Sequence, residues 1–485
     1  MLSNPSRYFH LFTFLLLTTV STTTIAEEKP ASEELSDYEL MSVFVEAFEQ
    51  IESNYVRDVD RRELVEAAVK GMVSQLDQYS SFIPPRRVSQ FNQMVDQEFG
   101  GIGIQVNNLG GRLVVVSPLP GTPAHRAGIQ SGDVIVEVEG KSVRGISLTD
   151  AVGLLQGPVG RPVTVKVVHP GEQEPVEMKL VRQLIKAPTV RGDHYRDDAT
   201  WDFMMPGEPR VGLIRISHFS RHTAKELKAA VDELLQADMQ GLVIDLRGNP
   251  GGLLEVAIDM CDMFLEDGNI VSVRGRNVAE RSWDAKKRGA YPEFPLAVLV
   301  DTYSASASEV FSACMQDNER AVIIGERTWG KGSVQNVIRM EQGDSALKLT
   351  TASYHRPSGI NIHRFPDMKP EDKWGVTPDE GYLMRLTRAE RLAIRRQHSE
   401  RDVLDNAPDA KAETEADAND SATDSKEDKQ ETAADKSDGE DGKATEEQPA
   451  EDRHLVAALN YIKEQLNGPK VAEAPATDSD PAEDE

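Results

Sequence analysis

The chain has 485 residues, with 81 acidic against 54 basic side chains and a formal charge of −27. At about 150 residues per domain, that length holds two or three folded units with full cores. A chain this acidic does not grip nucleic acid through a basic face. Its two cysteines exclude a disulfide-stapled scaffold and any Cys-rich zinc module. The charge is uneven: Arg401 to Glu485 holds 26 acidic and 9 basic residues, or −17, which leaves 55 and 45, or −10, for the first 400.

At the amino terminus Arg7 precedes an apolar stretch, Tyr8 to Val20, and Thr24-Ile25-Ala26 sets small residues ahead of Glu27. This order predicts a cleaved secretory signal over 1–26 and a periplasmic location for the mature chain. An uncleaved anchor is the competing reading, but the stretch falls short of the ~20 apolar residues a span needs. No cysteine near the cut offers a lipid attachment point. Cys261 and Cys314 fall in apolar helical patterns and read as buried free thiols, although an oxidising compartment permits a disulfide.

Residues 27–98 read as a helical region. Leu40, Phe44, Ala47, Phe48 and Ile51 follow the 3.6-residue period, and Leu64, Ala67, Ala68 and Met72 follow it again. Pro84-Pro85 interrupts the pattern before a short segment with Phe91 and Met94. The first helix (38–55) either packs on the body or pairs with another subunit.

From Phe99 the period becomes two. Gly101 to Val106 and Leu113 to Val116 read as strands around an Asn108-Leu109-Gly110-Gly111 turn. A short helix from Pro123 stops at Gly128, and a strand Asp133 to Val138 follows. Leu148 to Leu155 is a helix, and strands 163–168 and 176–180 finish the unit. The strings GGIGI (100–104) and SPLPGTPAHRAGIQSGDVIVEVEG (117–140) resemble a PDZ domain, over 99–185. The resemblance implies a groove where a peptide adds as a strand, with its terminal carboxylate at backbone N–H groups around Gly101, Ile102, Gly103 and Ile104.

Residues 186–400 alternate strands (211–216, 241–246, 296–300, 321–324) with helices (223–235, 253–264, 307–316), the pattern of an α/β core. Residues 401–451 are dominated by Ala, Asp, Glu, Lys, Ser and Thr and read as a disordered acidic linker. Residues 452–467 form an amphipathic helix on Leu455, Val456, Leu459, Ile462 and Leu466. That helix is too marginal to stand alone, so it docks on this body, another subunit or a partner. Residues 468–485 read as a disordered tail. The expected fold class is multidomain α/β: a helical N-terminal region, a β-rich PDZ-like domain, an α/β core, and an acidic tail with one helix.

Three strings at strand ends carry candidate chemistry. Asp245-Leu246-Arg247-Gly248-Asn249-Pro250-Gly251-Gly252 exposes N–H groups at a helix start. Ser304-Ala305-Ser306-Ala307-Ser308-Glu309 holds three serines, and Ser306-x-x-Glu309 is also a capping box. Gly330-Lys331-Gly332-Ser333-Val334-Gln335 offers a lysine between glycines. A serine nucleophile needs a base. His218 and His222 with Asp245 are one set; Lys331, desolvated enough to shed its proton, is the other. A helical or turned backbone brings Lys331 and Gln335 to ~6 Å, whereas an extended strand separates them by ~13 Å.

DLRGNPGG, SASASEVFSACMQD and GERTWGKGSVQ, in that order, resemble the carboxyl-terminal processing peptidases, the tail-specific S41 serine proteases. KLTTASYHRPSG (348–359), GVTPD (375–379) and LDQYSSF (76–82) extend the resemblance over roughly 38–385. It implies Ser306 as nucleophile, Lys331 as general base at the family's spacing of 331 − 306 = 25, and Gln335 as the orienting partner. It also implies an oxyanion hole from the N–H of Ala307 and of Gly251 or Gly252, with no metal or organic cofactor. His355-Arg356 and the segment 361–374 depart from the family pattern and bear on groove shape. The implied partners are proteins with exposed C-terminal ends, a lipoprotein adaptor, and a second copy through 38–55 or 452–467. The rival reading is a PDZ peptide-binding scaffold whose protease domain is silent or adaptor-dependent.

Overall fold

A computed structural model of the chain describes residues 36–286, 289–404 and 451–468. The expected signal, residues 405–450 of the acidic linker and the tail from 469 lie outside the described residues. No helix among those described is long and apolar enough to cross a membrane.

Two compact units divide between Ala68 and Val69. The first holds α1 (Asp37–Asn54), opened by a capping box between Ser36 and Glu39. None of its residues is buried, and Phe44, Val45 and Ile51 are exposed. Helix α2 (Arg61–Ser74) runs through the boundary.

In the second unit, β1 (Ser81–Ile83) leads to α3 (Pro85–Asp96), whose first residue is a proline, where a missing N–H costs nothing. β2 (Glu98–Gly101), β3 (Ile104–Leu109), β4 (Arg112–Pro118), α4 (Pro123–Arg126), β5 (Val134–Val138), β6 (Lys141–Ser142), α5 (Leu148–Leu155), β7 (Pro162–Val168), β8 (Val176–Val181) and β9 (Gln183–Lys186) follow. The order β3-β4-β5-β7-β8 leaves β3 at the sheet edge, with β6 on β5, and β2 pairs apart with β9. Sequence periodicity ran one strand from Gly101 to Val106. The chain instead turns at Gly103, φ 80°, where a Cβ would stand 2.3 Å from Thr122 Cβ. Only glycine fits there. Ile102, Val115, Ile135, Val138, Val163, Val165 and Leu155 form this unit's own core.

The α/β core opens with β10 (Val190–Arg191) and a small hairpin, β11 (His194–Tyr195) and β12 (Trp201–Asp202). Then come β13 (Val211–Ile216), α6 (Thr223–Gln236), β14 (Gly241–Asp245), α7 (Leu254–Asp262), β15 (Asn269–Gly275), β16 (Val278–Asp284), β17 (Leu296–Val300), α8 (Ala307–Asp317), β18 (Val322–Gly325), β19 (Ser333–Met340), β20 (Ser345–His355), α9 (Arg388–Arg401) and α10 (Arg453–Asn467). β13, β14, β17 and β18 are neighbouring parallel strands, with β10 antiparallel at the edge. They read as unbroken apolar runs because both faces are covered. Ile214, Leu242, Ile244, Val298 and Ile323 meet α6, α7 and α8 on one face. Their alternates Leu213, Val243, Ala297, Leu299 and Ile324 meet Ala458 and Ile462 of α10 on the other. Of the three docking places open to the C-terminal helix, the structure takes this body. The apolar face that would pair 452–467 with a second copy is spent on the sheet. Cys261 and Cys314 are buried and free in the α7–α8 layer.

A second sheet, ordered β1-β20-β15-β16 with β19 also on β20, brings the Asp77–Phe82 region beside the core. Ile462 is fully buried, and a Cβ on Gly241 would meet its Cγ2 at 2.5 Å. Ile462→Ala should therefore cost about 2–5 kcal/mol, read as a lower midpoint in urea unfolding.

Candidate active site

The parallel strands β14, β17 and β18 end at one edge of the sheet, so the loops that follow them converge. Those loops are 246–253, 301–306 and 326–332.

The three serines of the second loop separate by hydrogen bonding. Ser304 Oγ donates to the Leu246 carbonyl (2.8 Å) and Ser308 Oγ to the Asn249 carbonyl (3.0 Å), so both pin the first loop. Ser306 Oγ donates to no acceptor among the described residues, and Ser306 keeps 7% exposure. Its backbone sits at φ 57°, ψ −114°. That is a strained conformation for a residue with a Cβ, and strain of this kind persists only when neighbours over-determine it. The Ser306–Glu309 capping box forms: Glu309 accepts from the Ser306 N–H (2.8 Å), and the Glu309 N–H faces the Ser306 side chain while also donating to the Ser306 carbonyl (2.9 Å).

The glycine turn lies against this segment: a Cβ on Gly251 would stand 2.8 Å from Ser306 Cβ and from Ala307 N. Of the two expected oxyanion glycines, Gly251 has its N–H committed to Asn249 Oδ1 (2.8 Å). The N–H groups of Gly252 and Ala307 have no acceptor among the described residues. Asn249, itself fixed by donating Nδ2–H to the Ile216 carbonyl (2.8 Å), makes that distinction. Gly252 at φ 149° could not carry a side chain, because a Cβ there would meet the Phe219 carbonyl oxygen at 2.3 Å.

Lys331 is half-buried, between Gly330 at φ 88° and Gly332, whose missing Cβ would collide with His363 N at 2.2 Å. Burial pulls the Lys331 ammonium below its ordinary value and the Lys348 charge adds to this, while Glu309 opposes it. Lys331 Nζ lies 5.2 Å from the Tyr79 ring centroid and is not hydrogen-bonded to Ser306 Oγ. Gln335 does not pair with Lys331. Its Nε2–H donates to Ser333 Oγ (2.8 Å) and Thr350 Oγ1 (3.3 Å), because β19 is extended and sets Gln335 opposite Thr350. The orienting role expected for Gln335 is thus unformed in this arrangement.

The histidine set does not assemble. His222 Nε2 pairs with Glu98 Oε1 (2.7 Å), and desolvation pulls His218 down. Desolvation would raise the Asp245 carboxyl, but the Arg247 charge and hydrogen bonds outweigh it and hold the group ionised. Asp245 thus serves Arg247, not a histidine.

Sequence reasoning passed over one residue, Glu309, seen only as the third position of a capping box. It is fully buried. Its Oε1 accepts from Thr328 Oγ1 (2.6 Å) and the Gly330 N–H (2.6 Å), and its Oε2 from the N–H of Ser306 (2.8 Å) and of Lys331 (2.8 Å). Burial pushes the carboxyl up to about 6 against the downward pull of these bonds. One carboxylate therefore ties the serine's backbone to the lysine's.

At the PDZ unit, the N–H groups of Ile102 and Gly103 have no acceptor among the described residues, and they stand at the entry to edge strand β3. Among the described residues, no group of three or more His, Cys, Asp or Glu is placed to hold a metal.

Residues 210–381 match Peptidase family S41, 114–168 match a PDZ domain, and 8–84 match the activating protease CtpB N-terminal domain. The carboxy-terminal-processing protease of Bartonella bacilliformis is 36% identical over 360 residues, covering 73% of this chain and 78% of that protein. The carboxy-terminal processing protease CtpA of Bacillus subtilis is 34% identical over 379 residues, 76% and 77%. The solved photosystem II D1 C-terminal processing protease is 28% identical and covers 73% of this chain and 94% of its own, at a TM-score of 0.40. The PDZ domain of a carboxy-terminal protease from Vibrio cholerae, in complex with peptide, is 29% identical over 19% of this chain and 99% of its own, at a TM-score of 0.18. Fold and relatives together define a serine peptidase with an internal PDZ domain. The chain belongs to peptidase family S41, the carboxy-terminal processing proteases, which act on the C-terminal ends of proteins.

If Glu309 sets the distance between the two loops, Glu309→Ala should lower kcat by about 10²-fold, the scale of a 1 Å misplacement. Steady-state kinetics on the folded variant checks this.

Proposed function

We propose that the protein is an exported endopeptidase that captures a protein's C-terminal end on its PDZ unit and cleaves through an acyl-enzyme on Ser306. The observation that carries this reading is the Glu309 carboxylate, which holds the Ser306 and Lys331 N–H groups together while Ser306, unlike Ser304 and Ser308, donates its hydroxyl to no protein carbonyl. A terminal carboxylate meets the Ile102 and Gly103 N–H groups, and the peptide extends along β3 as an added strand. Further along the substrate, neutral Lys331 takes the Ser306 proton as Oγ attacks the scissile carbonyl carbon. The four-carbon stem of the lysine supplies the rotation that closes the gap to Oγ.

The oxyanion forms against the N–H groups of Gly252 and Ala307, at the start of α8 where the helix dipole favours negative charge. Lys331, now an ammonium, returns its proton to the departing amine. Water, deprotonated by the same lysine, then hydrolyses the ester and restores Ser306. A partner that switches activity on belongs to this reading, because the N-terminal region matches an activating protease's N-terminal domain and α1 presents Phe44, Val45 and Ile51 to solvent. A silent peptide-binding scaffold is disfavoured, since the serine, the lysine and both free N–H groups stand on convergent loops.

Ser306→Ala and Lys331→Ala should each abolish turnover of a peptide substrate while circular dichroism stays unchanged. In the wild type, kcat/KM should fall on the acid side, because protonation removes the base, through an ionisation below the ordinary lysine value. Full activity in Lys331→Ala would sink the dyad. Export rests on Arg7, the 8–20 apolar stretch and Thr24-Ile25-Ala26. Intact mass of the periplasmic protein should show cleavage after Ala26.

A further inference from the structure

We infer that Asp452, at the start of α10, is a positioning residue for the oxyanion loop, acting through Arg247. The inference rests on the catalytic reading above for what that loop does. The Asp452 carboxylate accepts from Arg247 Nη1 (2.9 Å) and Nη2 (2.8 Å). The same guanidinium returns to Asp245 through Nε (3.0 and 3.1 Å) and Nη2 (2.7 Å). Side-chain exposures of 8%, 4% and 10% for Arg247, Asp245 and Asp452 place the whole set out of water. A planar guanidinium gripped on two edges has little freedom to tilt.

The loop's other flank is held by the serine segment. Leu246 and Asn249 carbonyls accept from Ser304 and Ser308, the Asn249 carbonyl also accepts the Ala305 N–H, and Asp301 Oδ1 accepts the Gly248 N–H. The turn that presents Gly252 is thus clamped between the start of α8 and the start of α10. Losing the Asp452 charge leaves Asp245 to neutralise Arg247, and an amide in place of Oδ2 sets a donor against the buried Nη2. The guanidinium then has reason to re-aim, and residues 248–252 follow it.

Asp452 also caps α10, since its Oδ1 accepts the Leu455 N–H (3.2 Å). Asparagine caps as well as aspartate, so Asp452→Asn in the full-length chain keeps the cap and the Nη1 acceptor on Oδ1 but removes the charge and the Oδ2 acceptor of Nη2. The expected result is a kcat lower by about tenfold, the scale of a donor displaced by a fraction of an ångström. KM should stay within about twofold, and α10 amides should keep their hydrogen-exchange protection, as a docked, capped helix does. Asp452→Glu retains the charge, with a weaker cap, and should restore most of kcat; it also stands in if Asp452→Asn does not fold. Wild-type kcat in Asp452→Asn overturns the inference. So does a loss that Asp452→Glu leaves unrepaired, or one that appears only with lost protection of α10. Ser306→Ala measured alongside keeps the two readings apart. Activity there defeats the catalytic assignment, whereas a dead Ser306→Ala beside a fully active Asp452→Asn defeats only this one.

Discussion

The buried Glu309 carboxylate is the constraint on which the site depends. A carboxylate without water is costly unless its oxygens are filled, and here two oxygens take donors from three places: the Ser306 N–H, the Thr328 hydroxyl, and the Gly330 and Lys331 N–H groups. Those donors come from loops after two different strands, β17 and β18. Neither loop can drift without uncovering a charge. The same bond explains why Ser306 tolerates a positive φ: its N–H is held by Glu309, and the Ala305 N–H just before it by the Asn249 carbonyl. The strain at the serine is offset by these bonds.

Given that frame, a lysine rather than a histidine is the group at hand. His222 is spent on Glu98, and Asp245 on Arg247. Lys331 is pushed towards neutrality by burial and by Lys348, while Glu309 and the Tyr79 ring favour its charged form. These influences oppose one another, and that opposition suits a base that must give up its proton and take another in each cycle. A lysine in water would stay protonated; one among only apolar groups would never reload.

What the sequence made legible follows from physical range. The four parallel strands were plain because both faces are buried, which makes the runs from Val211, Gly241, Leu296 and Val322 almost wholly apolar. β16 and β19 were not read because most of each is exposed, and β20 because polar residues such as Lys348 sit half-buried along it; β15 was missed although Ile270 to Val273 are buried. Helix α10 was legible as an amphipathic helix. Its berth was not, since the matching face is assembled from Leu213, Val243, Ala297 and Leu299 on three strands. Among site residues, Ser306 and Lys331 stood out by motif and spacing. Gln335 depended on a backbone choice that spacing left open, and the extended form aims it at Thr350. Glu309 was hidden because its partners arrive some twenty positions later, at Thr328, Gly330 and Lys331, where no local pattern points back to it. The choice between Gly251 and Gly252 turned on one side chain, Asn249, whose amide had to be seen in place.

The PDZ unit and the oxyanion loop meet the same helix. At the end of α9, Leu404 is buried; its N–H donates to Ser117 Oγ (3.3 Å) and its carbonyl accepts from Ser131 Oγ (3.5 Å), both in the PDZ unit. Asp402 accepts from Arg191 and Arg215 on the core strands. One turn earlier, His398 lies in the field of Asp245, Arg247 and Asp452, and desolvation holds it down to about 4. It is therefore neutral near pH 7 and adds no positive charge to a set already balanced around Arg247. Contiguity of this kind does not by itself make a signal path; coupling needs an element with two states that both ends bias. What the contacts do fix is where such an element would have to be. A movement of the PDZ unit that leaves Leu404 in place cannot reach Arg247 through α9. One that drags Leu404 must either break the Asp402–Arg215 pair or tilt α9 about it, and a tilt moves His398 against the guanidinium that Asp452 holds. Docking of α10, whose Asp452 holds that guanidinium, therefore limits how far such a tilt can go.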